Sequence, residues 1–126
     1  MSYKKKILIV DDEPVILTML TEFMSGTYEI HTALNGVQAL DEAEKTKPDM
    51  VILDVTMPEM DGFETCRHLK GNTSTSKIPV IMLTARCKVT DIEVGIKSGA
   101  DAYVIKPFSP VRLIERMEKI LNGSQI

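Results

Sequence analysis

The residues with the chemistry to act together are Asp11, Asp12, Asp54, Thr84 and Lys106, and each stands at or behind the end of a short apolar run. The runs are Ile7-Leu8-Ile9-Val10, Met50-Val51-Ile52-Leu53, Val80-Ile81-Met82-Leu83 and Ala102-Tyr103-Val104-Ile105. Three carboxylates packed together repel, and either a raised pKa or a bound cation must relieve them. A hard, oxygen-seeking ion such as Mg²⁺ is the natural partner. A carboxylate can also attack a phosphoryl group to give an aspartyl phosphate. The negative oxygens of the transferred group then need a metal, a lysine and a hydroxyl donor around them. Taken singly, each residue has a plainer explanation. Asp11-Asp12-Glu13 before Pro14 can be an N-cap with first-turn acids, and Asp54 a turn residue. Thr84 can cap a helix, and Lys106 beside Pro107 can be a solvated loop lysine. Four strand ends that all carry a suitable group argue for the joint reading.

That reading requires the strand ends to meet. Short apolar runs alternating with segments of helical period are the pattern of repeated βα units around a parallel sheet. The first three runs are continuously apolar, as strands covered on both faces should be. Tyr28-Glu29-Ile30-His31-Thr32 alternates and is expected to be an edge strand. Period and capping residues predict five helices. These run over Pro14 to about Met24, from an Asn35 cap to before Pro48, over Phe63–Lys70, over Thr90–Lys97 and over Pro110–Leu121. The first carries apolar residues at Val15, Leu17, Leu20 and Phe23 or Met24, and the second holds Val37, Leu40 and Ala43. On the fifth, Leu113, Ile114, Met117, Ile120 and Leu121 are expected inward. Gly71–Lys77, rich in Ser and Thr, is expected to be a mobile surface loop. Right-handed crossovers favour an α/β doubly wound, five-stranded parallel sheet in the order 2-1-3-4-5. Ligands of such sheets bind beyond the carboxyl ends of the strands, where strand order reverses.

Composition bounds the possibilities. The chain has 126 residues, 44% of them hydrophobic and 26% charged, with no Trp; a single domain over 1–126 is expected, with its core over about 6–121. A net charge of -3 argues against direct nucleic-acid binding. Lys4-Lys5-Lys6 is taken as a solvated approach to the first strand. No apolar run approaches the roughly 20 residues that would span a bilayer, and no leader pattern opens the chain. A cytoplasmic protein without membrane association is therefore expected. Cys66 and Cys87 fit neither a redox nor a metal spacing and are expected to be reduced, half-buried and inert. His31 and His68 are equally isolated. Asn122-Gly123-Ser124 is compatible with a natural end or with the start of a linker.

The ordered motifs Val10-Asp11-Asp12-Glu13-Pro14, Asp54-Val55-Thr56-Met57-Pro58, Met60-Asp61-Gly62, Thr84-Ala85, Gly99-Ala100-Asp101 and Lys106-Pro107-Phe108 resemble those of response-regulator receiver domains of two-component signalling, including the chemotaxis regulators. The resemblance runs from about Lys6 to Leu121. It implies a flavodoxin-like fold with Asp54 as the phosphoacceptor. It also implies Mg²⁺ held by Asp12, Asp54 and the main-chain carbonyl of Thr56, with Asp11 acting through a metal-bound water. Lys106 would pair with the phosphoryl oxygens, and Thr84 would donate to one of them. The donor would be a phosphohistidine on a sensor histidine kinase or a histidine phosphotransfer protein. The receiver would catalyse only its own phosphorylation and dephosphorylation. Tyr103 matches the family's switch aromatic, and its movement with Thr84 would alter a partner-binding face for a downstream effector protein or a fused output domain. A cis peptide is expected at Lys106-Pro107, as in similar domains.

The sequence departs from the family pattern at Ala102, where winged-helix transcription-factor relatives usually carry a second Asp that joins an intersubunit ion pair. Thr56 and Arg86 occupy positions that vary in the family, and Arg86 is expected to shield the acyl phosphate. A haloacid-dehalogenase-type hydrolase would need an Asp where Thr56 stands. A flavin or nucleotide binder would need a Gly-rich or Ser/Thr-rich loop after the first strand, where this chain has Asp11-Asp12-Glu13. A pseudo-receiver that only docks partners would not need the intact set of Asp12, Asp54, Thr84 and Lys106.

Overall fold

Each apolar run forms a strand, and the amphipathic segments between them form helices. The computed structural model describes residues 3–123. In chain order the elements are β1 (Lys6–Val10), α1 (Pro14–Met24), β2 (Glu29–Ala33), α2 (Gly36–Thr46), β3 (Met50–Leu53), α3 (Gly62–Gly71), β4 (Val80–Thr84), α4 (Val89–Lys97), β5 (Ala102–Ile105) and α5 (Pro110–Leu121). The strands form one five-stranded sheet in the order β2-β1-β3-β4-β5, every neighbouring pair parallel. This is the doubly wound, flavodoxin-like order expected from the sequence.

Alternate residues of a strand point to opposite faces, so a continuously apolar strand feeds two cores. Leu8, Val10, Val51, Leu53, Val80 and Met82 meet Ala39 and Ala43 of α2 and Phe63, Cys66 and Leu69 of α3. Ile7, Ile9, Met50, Ile52, Ile81 and Leu83 meet Leu17, Leu20 and Met24 of α1 and Leu113 and Met117 of α5. Helix starts follow from local chemistry. Pro14 opens α1 where its missing N–H is not needed, while Asn35 Oδ1 accepts from Gln38 N at 2.8 Å and Asp61 Oδ1 from Glu64 N at 2.9 Å. Gly99, at φ 106, adopts the left-handed conformation that closes α4.

Several expectations change. On α1 the inward positions are Leu17, Leu20 and Met24, whereas Val15 is 76% and Phe23 45% exposed. Apolar residues lie almost all round this helix, so its period does not decide the buried face. On α2, Val37 is 63% exposed and Ala39 is buried in its place, because only small residues fit where α2 lies close to the sheet and α3. The edge strand begins at Glu29; Tyr28 turns into the core instead. Helix α3 is one residue longer at each end than expected, and α4 begins at Val89. The cysteines are not alike: Cys66 is buried and Cys87 exposed. Of the segment Gly71–Lys77, Gly71 ends α3 and the rest is wound into a bend and turns, held by the buried Thr75, whose hydroxyl donates to the Leu69 carbonyl at 2.7 Å. Ser124, the last residue of the expected Asn-Gly-Ser ending, lies outside the described residues. Among those described, no helix is long and apolar enough to cross a membrane.

Candidate functional site

The ladder of the sheet runs one residue beyond the strands and thereby fixes the site. The Asp54 amide donates to the Val10 carbonyl at 3.0 Å, the Asp11 amide to Ala33 at 3.2 Å and the Lys106 amide to Thr84 at 2.9 Å. These bonds align the carboxyl ends of β1, β3, β4 and β5 at the point where strand order reverses, where open α/β sheets bind ligands.

Side chains remote in sequence converge there. Lys106 Nζ donates to Asp11 Oδ2 at 3.0 Å, across 95 residues of chain, and stands 3.8 Å from Asp54 Oδ2. Asp11, Asp12 and Asp54 each offer a carboxylate oxygen, all within 4.8 Å of one another. Asp11 and Asp54 are buried and Asp12 is exposed, so the cluster is a recess with one open acidic wall. Asp11 Oδ1 accepts from the Glu13 amide at 2.9 Å, and Asp54 Oδ1 from the Val55 amide at 2.7 Å and the Thr56 amide at 3.4 Å. These bonds leave Asp54 Oδ2 turned toward Lys106. The sharp exit of the chain after Asp54 depends on Gly62, whose amide donates to the Val55 carbonyl at 2.8 Å. A Cβ there would collide with the Asp54 carbonyl oxygen and lie 2.8 Å from Val55 Cα.

Electrostatics set the ionisation of the recess. Burial pushes the Asp54 carboxyl above the usual carboxylate range and the Asp11 charge adds to this, against Lys106, the Thr84 hydroxyl and the Thr56 amide. Burial alone would lower the Lys106 ammonium. The Asp11 hydrogen bond and the Asp54, Asp11 and Glu13 charges outweigh it, and its pKa lies above the ordinary value. Lys106 is therefore a permanent cation, but one positive charge does not balance three carboxylates. Clustered hard oxygen donors with surplus negative charge suit a divalent cation of the Mg²⁺ type.

The remaining expected residues lie around this recess. Thr84 is fully buried at the end of β4, its Oγ1 accepting from the Arg86 amide at 3.3 Å. Thr56 is exposed beside Asp54. Tyr103 is part-buried on β5 and donates its hydroxyl to the Arg86 carbonyl at 2.8 Å. The Lys106-Pro107 peptide is cis, as expected. Arg86 does not stand free: its guanidinium is paired with Asp91 at 2.9 Å. Asp91 was not singled out from sequence, where it resembles any first-turn helix acid. Asp101 serves the opposite end of the sheet, with Oδ2 accepting from the Val80 amide at 2.8 Å and Lys70 Nζ at 3.2 Å.

Known proteins similar to this chain are numerous. The family model described as "Response regulator receiver domain" matches residues 7–118. The chain is 42% identical over 97% of its length to the alkaline phosphatase synthesis transcriptional regulatory protein PhoP of Bacillus subtilis, and 37% identical, again over 97%, to the DNA-binding response regulator MtrA of Mycolicibacterium smegmatis. It spans 50% and 53% of those two proteins, about half the length of the curated relatives it matches. Among solved structures it is similar to the Vibrio cholerae chemotaxis protein CheY4, with a TM-score of 0.88 at 32% identity, over 94% of this chain and 99% of that one. It is likewise similar to a BeF3-activated DrrB receiver domain, with a TM-score of 0.87 at 32% identity, over 95% of this chain and 99% of that one. With the family model covering nearly all of its sheet and helices, this chain belongs to the response regulator receiver domain family of two-component systems.

Proposed function

We propose that the chain is a phosphorylation-dependent switch that accepts a phosphoryl group on Asp54. The observation that carries this reading is Lys106 Nζ, 3.0 Å from Asp11 and 3.8 Å from Asp54, a fixed cation at the mouth of a carboxylate cluster. Asp54 Oδ2 attacks the phosphorus of a phosphohistidine, the bond from phosphorus to the imidazole nitrogen breaks, and the imidazole leaves with a proton taken from solvent. Lys106 faces the phosphoryl oxygens, and Thr84 donates its hydroxyl to one of them. Hydrolysis reverses the state: water attacks the phosphorus, and the Asp54 carboxylate and inorganic phosphate separate. Asp12, Asp54, the Thr56 carbonyl and, through water, Asp11 would hold Mg²⁺, which when bound supplies positive charge to the transferred oxygens. Apart from taking the phosphoryl group from its donor, the cycle works only on the chain's own Asp54.

The donor is a sensor histidine kinase or a histidine phosphotransfer protein. The output is a downstream effector or a fused domain, in keeping with relatives named as transcriptional and DNA-binding regulators. At a net charge of -3, nucleic-acid contact belongs to such an output rather than to this chain. We place it in the cytoplasm as one domain over residues 1–126. Thr84 and Tyr103 form the switch that alters the face built from α4, β5 and α5.

Incubation with a small acyl phosphate, with and without Mg²⁺, followed by intact mass measurement of the wild type and Asp54→Asn, tests the reading. The expected result is metal-dependent gain of one phosphoryl mass by the wild type alone. Equal gain by both proteins would move the acceptor elsewhere.

A further inference from the structure

The loop that leads from Asp54 into α3 is closed on itself and has a strained corner. Its ends are tied by the Gly62 amide, which donates to the Val55 carbonyl at 2.8 Å, and its tip by the Met60 amide, which donates to the Pro58 carbonyl at 2.9 Å. The second bond joins residues two apart, and Glu59 between them has φ 68. A three-residue turn with a positive φ at its centre is the rare, strained form, and a side chain such as that of Glu59 seldom adopts this conformation. Such strain persists only where the surroundings hold it. Here α2 supplies the hold. Met60 is part-buried and lies across Gly36, the buried first residue of α2. A Cβ on Gly36 would stand 3.0 Å from Met60 Sδ and 3.1 Å from Met60 Cβ. It would also collide with Thr65 Oγ1, which donates to the Asp61 carbonyl at 2.8 Å just beyond Met60. The missing side chain of Gly36 is therefore the space that Met60 occupies.

We propose that Met60 is a positioning residue of the recess: seated on Gly36, it holds the strained loop so that the Val55 and Thr56 peptides stay in place around Asp54. The inference rests on the reading of Asp54 as phosphoacceptor in a Mg²⁺ site. Both peptides aim their amides at Asp54 Oδ1, at 2.7 Å and 3.4 Å, which fixes the rotation of the carboxylate. Without the Met60 side chain, Glu59 can relax toward negative φ. That relaxation breaks the bond between Met60 and Pro58 and shifts the chain that runs back through Met57 to Thr56. Oxygen donors already in place bind a cation without an ordering cost, whereas donors on a relaxed loop must be ordered first. Met60 thus acts on the site through the loop and through α2, the helix that follows the edge strand.

Three measurements test the proposal: calorimetric titration of the unphosphorylated protein with MgCl₂, thermal unfolding, and phosphoryl uptake from a small acyl phosphate over a range of Mg²⁺. They are made on the wild type, Met60→Leu, Met60→Ala, Glu59→Gly and the Glu59→Gly/Met60→Ala pair. Met60→Ala should weaken Mg²⁺ binding roughly fivefold, the low end of what one such strained residue stores. Uptake should need correspondingly more Mg²⁺ to reach half its maximum, with the maximum little changed. Met60→Leu, close in volume, should stay near the wild type. Glu59→Gly removes the strain, so in the Met60→Ala background it should recover part of the lost affinity. A role in packing alone would lower the melting temperature of Met60→Ala and leave its Mg²⁺ affinity unchanged, and that result would overturn the proposal. Failure of Glu59→Gly to recover any affinity would overturn it too, because strain would then not be what Met60 holds. So would a wild type that binds no Mg²⁺. Mg²⁺ binding without uptake by any of the proteins would count against Asp54 as acceptor, and the affinities would still decide whether Met60 positions the loop.

Discussion

At the scale of single residues the recess is a balance between one cation and three carboxylates. Lys106 reaches Asp11 and Asp54 together, and its side chain is 17% exposed against 3% and 8% for its partners. Removing one member of so buried a set leaves charge without compensation, which costs more than an exposed pair ever contributes. Lys106→Met should therefore lower stability by about 2 kcal/mol in metal-free buffer. Added Mg²⁺ should recover more of the loss in the variant than it adds to the wild type. Urea unfolding of both proteins with and without the ion checks this, and equal metal-free midpoints would show that Lys106 carries no such weight. The acidic and basic members of this set were legible in sequence because each follows an apolar run of unmistakable strand character. The Arg86–Asp91 pair was not, since five positions that span a loop and a helix start match neither the sheet period nor the helix period, and its geometry appears only once the loop is folded.

At the scale of elements, strands were easier to place than helix faces. Ile7–Val10, Met50–Leu53 and Val80–Leu83 are apolar without interruption because both faces of the sheet are covered, and that signal has few rivals. Helix α1 shows the opposite case. Its sequence PVILTMLTEFM offers apolar residues in nearly every direction, and the buried face is settled by which set reaches β1 and α5, a tertiary fact. Leu20, 1% exposed, and Val15, 76% exposed, make the distinction measurable. Leu20→Ala should cost about 2–5 kcal/mol, the range for emptying a packed core position. Val15→Ala should stay within about 0.5 kcal/mol, as surface changes do. Comparable losses in thermal unfolding would mean that α1 is rotated from the face described.

At the scale of the whole molecule, the sheet brings groups separated by 95 residues into one recess, so ion binding there should be felt as global stability and not only as local order. Few bonds tie the acidic cluster to a single element; Asp11 and Asp12 follow β1, Asp54 follows β3, and Lys106 follows β5. An ion held by such a set exists only in the folded chain and stabilises it by mass action. With Mg²⁺ at about ten times its dissociation constant the gain is about 1.4 kcal/mol, equivalent to a rise in melting temperature of roughly 5 °C for a chain of this size. The overall charge of -3 also responds to salt, so the comparison has to be made at matched ionic strength with NaCl. The rise should largely disappear in Asp12→Asn and Asp54→Asn, which remove oxygen charge from the cluster and leave the sheet untouched. An equal rise with NaCl, or an undiminished one in both variants, would mean that the acidic edge is screened as a surface and holds no ion.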